Sequence, residues 1–167
     1  MLVIARRFLW IIAFAFWMGG FSFYGGVVIT IGAKVLAGGE REFGFVTQQV
    51  TNWLNLIGSV ALIVFLVDLS IDWKLPGKRG RWLLLCLWFV MALMHAGLIA
   101  IHPRMDRLLV IDTLSIRHGA DFHALHRVYL GLSTLEWAGS LIFLGGTLWV
   151  WNRRDRLHPL TRIHISP

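Results

Sequence analysis

Residues 82–101, from Trp82 to Ile101, read WLLLCLWFVMALMHAGLIAI. A helix needs about 20 mostly apolar residues to cross the hydrocarbon of a bilayer. This run has that length and no Asp, Glu, Lys or Arg, and its one imidazole is His95. Three further stretches have the same character, residues 8–36, 52–71 and 128–151. The first is long for a bilayer and is expected to tilt or project beyond it. Arg6 and Arg7 precede it as in a secretory leader, but the run is too long and lacks a small-x-small site, so it reads as a retained span.

The whole composition agrees. The chain has 167 residues, of which 57% are hydrophobic and 15% charged. Soluble domains are about 45–50% apolar and about 25% charged. Both departures exclude an ordinary soluble enzyme or a disordered tail, and the single Cys86 excludes an internal disulfide framework. The reading is an all-α, four-helix transmembrane bundle, a single integral membrane domain over residues 1–167. Its principal partner is the lipid bilayer, and the expected location is a bacterial inner (cytoplasmic) membrane. The formal charge of +7 then reads as orientation and lipid contact, with no nucleic acid implied.

With the N-terminus inside, ten Lys and Arg fall on the cytoplasmic side and six on the other, which favours both termini cytoplasmic. Trp10, Trp73, Trp82, Trp149 and Trp151 fall near the inner boundary, as an aromatic belt would. Pro76, Gly77 and Gly80 make a tight inner link between the second and third spans. Met105, Leu108, Leu109 and Asp112 recur with roughly helical spacing, so residues 104–118 suggest a short helix on the membrane surface. Small residues at four-residue spacing, such as Ala92, Ala96 and Ala100, read as faces for close helix packing. Cys86 reads as a small buried residue.

Polar groups inside spans are costly, about 2.5–3.5 kcal/mol for each charge on insertion scales, so each needs a reason. In the second span Gln48, Asn52, Asn55 and Ser59 fall within an arc of about 60°. His95 and His102 are seven apart on the third span, and His123, His126, Tyr129, Ser133, Glu136 and Ser140 lie along one side of the fourth. At 1.5 Å per residue, His95 lies about 10 Å inward of His102, and Glu136 about 15 Å inward of His126. His95 and Glu136 therefore reach similar depths from the outer side. Asp68 lies on the opposite face near the inner boundary, where Lys74, Arg81 or the Arg6–Arg7 pair can neutralise it.

The candidate site is thus His95, His102, His126 and Glu136, walled by Asn52, Asn55 and Ser133. His123 is an alternative ligand or a hydrogen-bonding support. Imidazoles with a carboxylate suit a transition metal, copper or zinc. Two histidines on facing helices can also clamp haem b. A His–Glu pair can relay protons or bind a solute in a carrier. The same residues can equally form a structural network that fixes helix register. No nucleophile triad, P-loop, haem-attachment Cys-x-x-Cys-His or dinucleotide fingerprint is present, so the sequence leans away from catalysis.

Two short segments carry a resemblance. Phe16-Trp17-Met18-Gly19-Gly20 and Phe122-His123-Ala124-Leu125-His126-Arg127 resemble elements of uncharacterised four-helix membrane domains related to the copper-resistance CopD-like group. That resemblance implies a four-helix integral membrane protein and copper handling carried by His126 and His123. The leading expectation is a polytopic membrane protein whose outer-facing His/Glu site binds a metal. The alternatives are a non-catalytic accessory subunit that scaffolds a larger membrane complex, and a b-type haem protein.

Overall fold

The computed structural model describes residues 1–35, 40–71, 78–110 and 115–157. Helix α1 (Leu2–Phe23) continues through a π-helical turn (Tyr24–Val28) into α2 (Ile29–Val35), and together they make the first span. The others are α3 (Glu40–Ile71), α4 (Lys78–Asp106) and α5 (Gly119–Leu157). Among the described residues, four helices are long and apolar enough to cross a membrane, and together they form an up-down-up-down bundle. Phe16, Ile63, Leu93 and Ile142, one from each span, are all more than 60% exposed. A soluble protein rarely leaves apolar area on that scale uncovered. In a bilayer these side chains face acyl chains.

Each helix runs past the boundaries that hydropathy suggests, because the apolar window marks only the part that must lie in hydrocarbon. The helical backbone continues into the interface, where water and headgroups still satisfy its ends. Over residues 104–118 the described part is not a surface helix. Helix α4 ends at Asp106, and β1 (Leu109–Val110) pairs antiparallel with β2 (Ser115–Ile116) in a minimal hairpin. Just beyond it, His118 has a positive φ of 48° and its carbonyl accepts from the Asp121 and Phe122 amides in the first turn of α5.

Both ends of the described chain meet at one end of the bundle, here the terminal end. There the Arg7 guanidinium donates twice to the Asp155 carboxylate at 2.8 Å, joining α1 to α5. Arg6 Nε lies 2.9 Å from Asp68 Oδ1, the neutralisation that the position of Asp68 requires. Between this layer and the bundle centre the core is aromatic. Trp10 is 1% exposed, stacks on Phe14, meets Phe65 at 4.7 Å and takes Trp151 edge-on at 5.4 Å. Trp10 and Trp151 are thus core residues, and of the expected belt only Trp82 and Trp149 are exposed; Trp73 lies outside the described residues. Hydropathy marks Trp as interfacial by its amphipathic ring, yet a helix face turned inward buries it. Cys86 corrects in the other direction and is exposed on the bundle exterior.

Close packing depends on small residues at particular points. A Cβ added to Gly146 would come within 2.8 Å of Leu84 Cδ2, whereas one on Gly145 would meet nothing within 4 Å. We expect Gly146→Ala to cost about 1–2 kcal/mol through overpacking. Gly145→Ala should be neutral, or stabilise by up to about 1 kcal/mol through helix propensity. Thermal unfolding midpoints in detergent measure both.

Candidate functional site

The centre of the bundle is polar. Each residue there is carried on a helix whose remaining faces are apolar, so packing alone sets its position. His95 of α4 is 4% exposed and Glu136 of α5 is 3% exposed, and His95 Nδ1 lies 2.9 Å from Glu136 Oε1. The two groups that helical rise sets at one depth meet there. The other ring nitrogen, Nε2, lies 2.9 Å from the backbone oxygen of Asn55 and 3.0 Å from Ser59 Oγ, both on α3.

The partners assign the tautomer. A carbonyl oxygen only accepts, so His95 Nε2 carries a hydrogen and donates it. Ser59 spends its own hydrogen on the same Asn55 oxygen at 2.9 Å. The proton between Nδ1 and Oε1 is then the one mobile element. With it on nitrogen the pair is imidazolium and carboxylate; with it on oxygen, imidazole and carboxylic acid. Both arrangements are neutral overall, which is the form a low-dielectric interior tolerates.

Two apolar contacts hold the imidazole in place. Trp17 of α1 meets it edge-on, with ring centroids 6.0 Å apart. Gly58 of α3 lies beneath it, and a Cβ there would approach His95 Cε1 to 2.5 Å and Trp17 Nε1 to 2.7 Å. Trp17 is ten residues from Arg7 along α1, or about 15 Å. Half the hydrocarbon thickness is about 15 Å, so the pair sits near the bilayer midplane if Arg7 marks one boundary.

From this floor a cleft leads to the far end of the bundle. Its inner chamber, about 160 Å³, is lined by Trp17, Tyr24, Asn55, Tyr129, Ser133 and Glu136 among others. An outer chamber of about 270 Å³ shares Tyr24, Thr51 and Tyr129 with it and adds His102, Asp106 and His126. Tyr129 donates to Asn55 Oδ1 at 3.1 Å, fastening α5 to α3 at the junction. The aromatic core closes the other side, so the cleft is one-sided.

The four expected site residues thus divide into two levels. His95 and Glu136 form the floor, whereas His102 and His126 line the mouth. His102 is 6% exposed, and its Nε2 lies 3.7 Å from Asp106 Oδ2, beyond hydrogen-bonding distance. Asn55 and Ser133 line the inner chamber. Asn52 is exposed and Thr51 takes its place, because packing turns α3 by roughly a half-step from the phase its polar residues suggest. His123 is exposed and touches the Phe122 ring. Trp17, Tyr24, Thr51, Gly58 and Asp106 also line or brace the site without belonging to the set expected from the sequence. Three of these left a signal: Thr51 and Gly58 are seven apart on one helical face, and Asp106 follows His102 by four.

This donor set does not fit a metal or haem iron at His95. One ring nitrogen donates to a carbonyl and the other faces a carboxyl, which leaves no lone pair for an ion. Among the described residues no three His, Cys, Asp or Glu side chains are grouped as metal donors. Comparison with protein families, curated proteins and solved structures finds no match for this chain.

Proposed function

We propose that this chain is a proton-exchanging binding protein of the bilayer. Its one-sided cleft admits a small solute, and the His95–Glu136 pair at the floor is the group that gains or loses the proton. The observation that carries this reading is the use of both His95 nitrogens within a buried pair at the floor of a largely apolar cleft that carries a few polar side chains. A charge at such depth is expensive, so the shared proton keeps the resting pair neutral, and its release leaves one negative charge for a cationic solute to neutralise. The positive-inside bias of Lys and Arg supports a cytoplasmic terminal end and a cleft open to the opposite side. The reading is of a carrier or sensor rather than an enzyme.

Infrared spectroscopy on the protein in lipid nanodiscs tests it. Over a titration from about pH 4 to about pH 10, a carboxylic-acid carbonyl band assigned to Glu136 should change in intensity. That band should be missing in Glu136→Gln and displaced in His95→Gln. A Glu136 band that is static over the whole range would make the pair a fixed structural strut. That outcome, together with a stable partner on native gels, would favour the accessory-subunit reading.

A further inference from the structure

The cleft opens to the bilayer as well as to its mouth. Contacts between α1 and α5 run from Arg7–Asp155 through Met18–Ser140 to Ser22–Trp137, where the indole nitrogen donates to the serine hydroxyl at 3.3 Å. Beyond that point lies the π-helical turn Tyr24–Val28. Such turns widen a helix locally and accompany functional sites. Here Gly25 and Ile29 on one side, and Leu130 and Thr134 on the other, line the inner chamber while also being exposed on the protein's surface. They lie along the spanning part of the helices, so the slot between them faces acyl chains. A Cβ on Gly25 would meet nothing within 4 Å, as expected at an open edge.

The chemistry of the wall selects the occupant. Each of the hydroxyls lining the inner chamber has one hydrogen to give. Thr51 gives it to the Thr47 carbonyl at 2.7 Å, Ser133 to the Tyr129 carbonyl at 2.7 Å, and Thr134 to the Leu130 carbonyl at 2.9 Å. Tyr129 gives its own to Asn55 Oδ1. The Ser133, Thr134 and Tyr129 oxygens therefore present lone pairs to the chamber, the Thr51 oxygen is engaged by the Tyr24 hydroxyl, and Glu136 adds a carboxyl at its floor. Trp17, Phe21, Tyr24 and Tyr129 supply aromatic faces. Lone pairs, a carboxyl and aromatic faces suit a cation that carries N–H donors.

Resting on the proton-exchange reading above, we propose that the cleft binds a lipophilic amine as its ammonium form, admitted sideways from the bilayer between the π-helical turn and α5. The ammonium N–H donates to the Glu136 carboxylate. The proton shared by His95 and Glu136 leaves through the outer chamber, past Tyr24, Tyr129, His102, Asp106 and His126, while among the described residues α3 contributes no titratable group to either chamber. One ammonium enters and one proton leaves, so the buried charge is unchanged. No covalent bond is made or broken beyond that N–H or O–H.

The probe is N,N-dimethyldodecylamine, titrated into protein-loaded and empty nanodiscs in weakly buffered solution with a pH indicator. We expect saturable binding above the empty discs, with one proton released for each amine bound. Dodecyltrimethylammonium has the charge but no N–H, and should bind about tenfold or more weakly, as loss of a hydrogen bond to a charged group predicts. Gly25→Leu fills the slot from its open edge and should abolish binding while the infrared band of Glu136 persists. Thr134→Leu repeats the test from the opposite wall. Absence of saturable binding, equal binding of the trimethyl compound, or binding unchanged in both leucine variants would overturn the amine proposal. If binding fails while the Glu136 band still moves with pH, the ligand class alone falls. If that band is static, the proton-exchange reading falls with it.

Discussion

Replacing Gly58 with alanine should be the most damaging single-methyl substitution in the bundle. The new Cβ would come within 2.5 Å of His95 Cε1 and 2.7 Å of Trp17 Nε1. Neither neighbour is the loose end of a flexible chain. Trp17 is 3% exposed against Phe65, and His95 is tied at both nitrogens to α3 and α5. The ring can yield only by giving up its bond to the Asn55 carbonyl or to Glu136, and either leaves a buried polar group unsatisfied. Overpacking costs about 1–3 kcal/mol, and the lost hydrogen bond adds about 1–3 kcal/mol. We therefore expect destabilisation of about 3 kcal/mol or more. The thermal midpoint of the purified protein in detergent should fall sharply, while Gly25→Ala, with open space around its Cβ, should leave it nearly unchanged.

The second large effect concerns the pair itself. Glu136→Leu removes the partner of His95 Nδ1 and leaves the imidazole buried with one nitrogen unsatisfied. Breaking a buried ion pair from one side costs about 3–5 kcal/mol. Replacing both members by apolar residues removes the unpaired group, so the double variant His95→Leu, Glu136→Leu should be more stable than Glu136→Leu alone. The Asn55 carbonyl keeps a donor in that background, because Ser59 donates to it at 2.9 Å. A double-mutant cycle read by thermal unfolding checks the sign. If the double variant is the least stable of the set, the pair is not the isolated, mutually satisfying unit described here. A double variant that is stable but binds no amine would separate the pair's role in function from its role in folding.

Much of this was legible in the chain because one dimension of a membrane helix is a simple ruler. A rise of 1.5 Å per residue puts His95 and Glu136 at one depth, and the structure brings them to 2.9 Å. Rotation about each helix axis is harder to read. It depends on which faces find partners, so Thr51 lines the cleft where the polar stripe points to Asn52, and Trp10 fills the core where hydropathy points to a belt. Depth also separated residues that composition had grouped. His102 and His126 share imidazole chemistry with His95, yet about 10–15 Å of helix keeps them at the mouth. The π-helical turn was not legible, since one added residue in a turn leaves no mark in a Gly-rich apolar run. Yet that turn shapes the side of the cleft. The hairpin over Leu109–Val110 and Ser115–Ile116 was obscured for a different reason, because a short apolar pattern fits a helix or paired strands equally well.

In the proposed function His95 holds one hydrogen permanently and shares the other with Glu136. Nitrogen-15 NMR of histidine-labelled protein in lipid nanodiscs measures both ring nitrogens directly, with His95→Gln providing the assignment. Nε2 should remain protonated, donating to the Asn55 carbonyl, while the Nδ1 signal moves with pH and loses that dependence in Glu136→Gln. An unprotonated Nε2, or an Nδ1 signal indifferent to both pH and Glu136, would contradict that proposal.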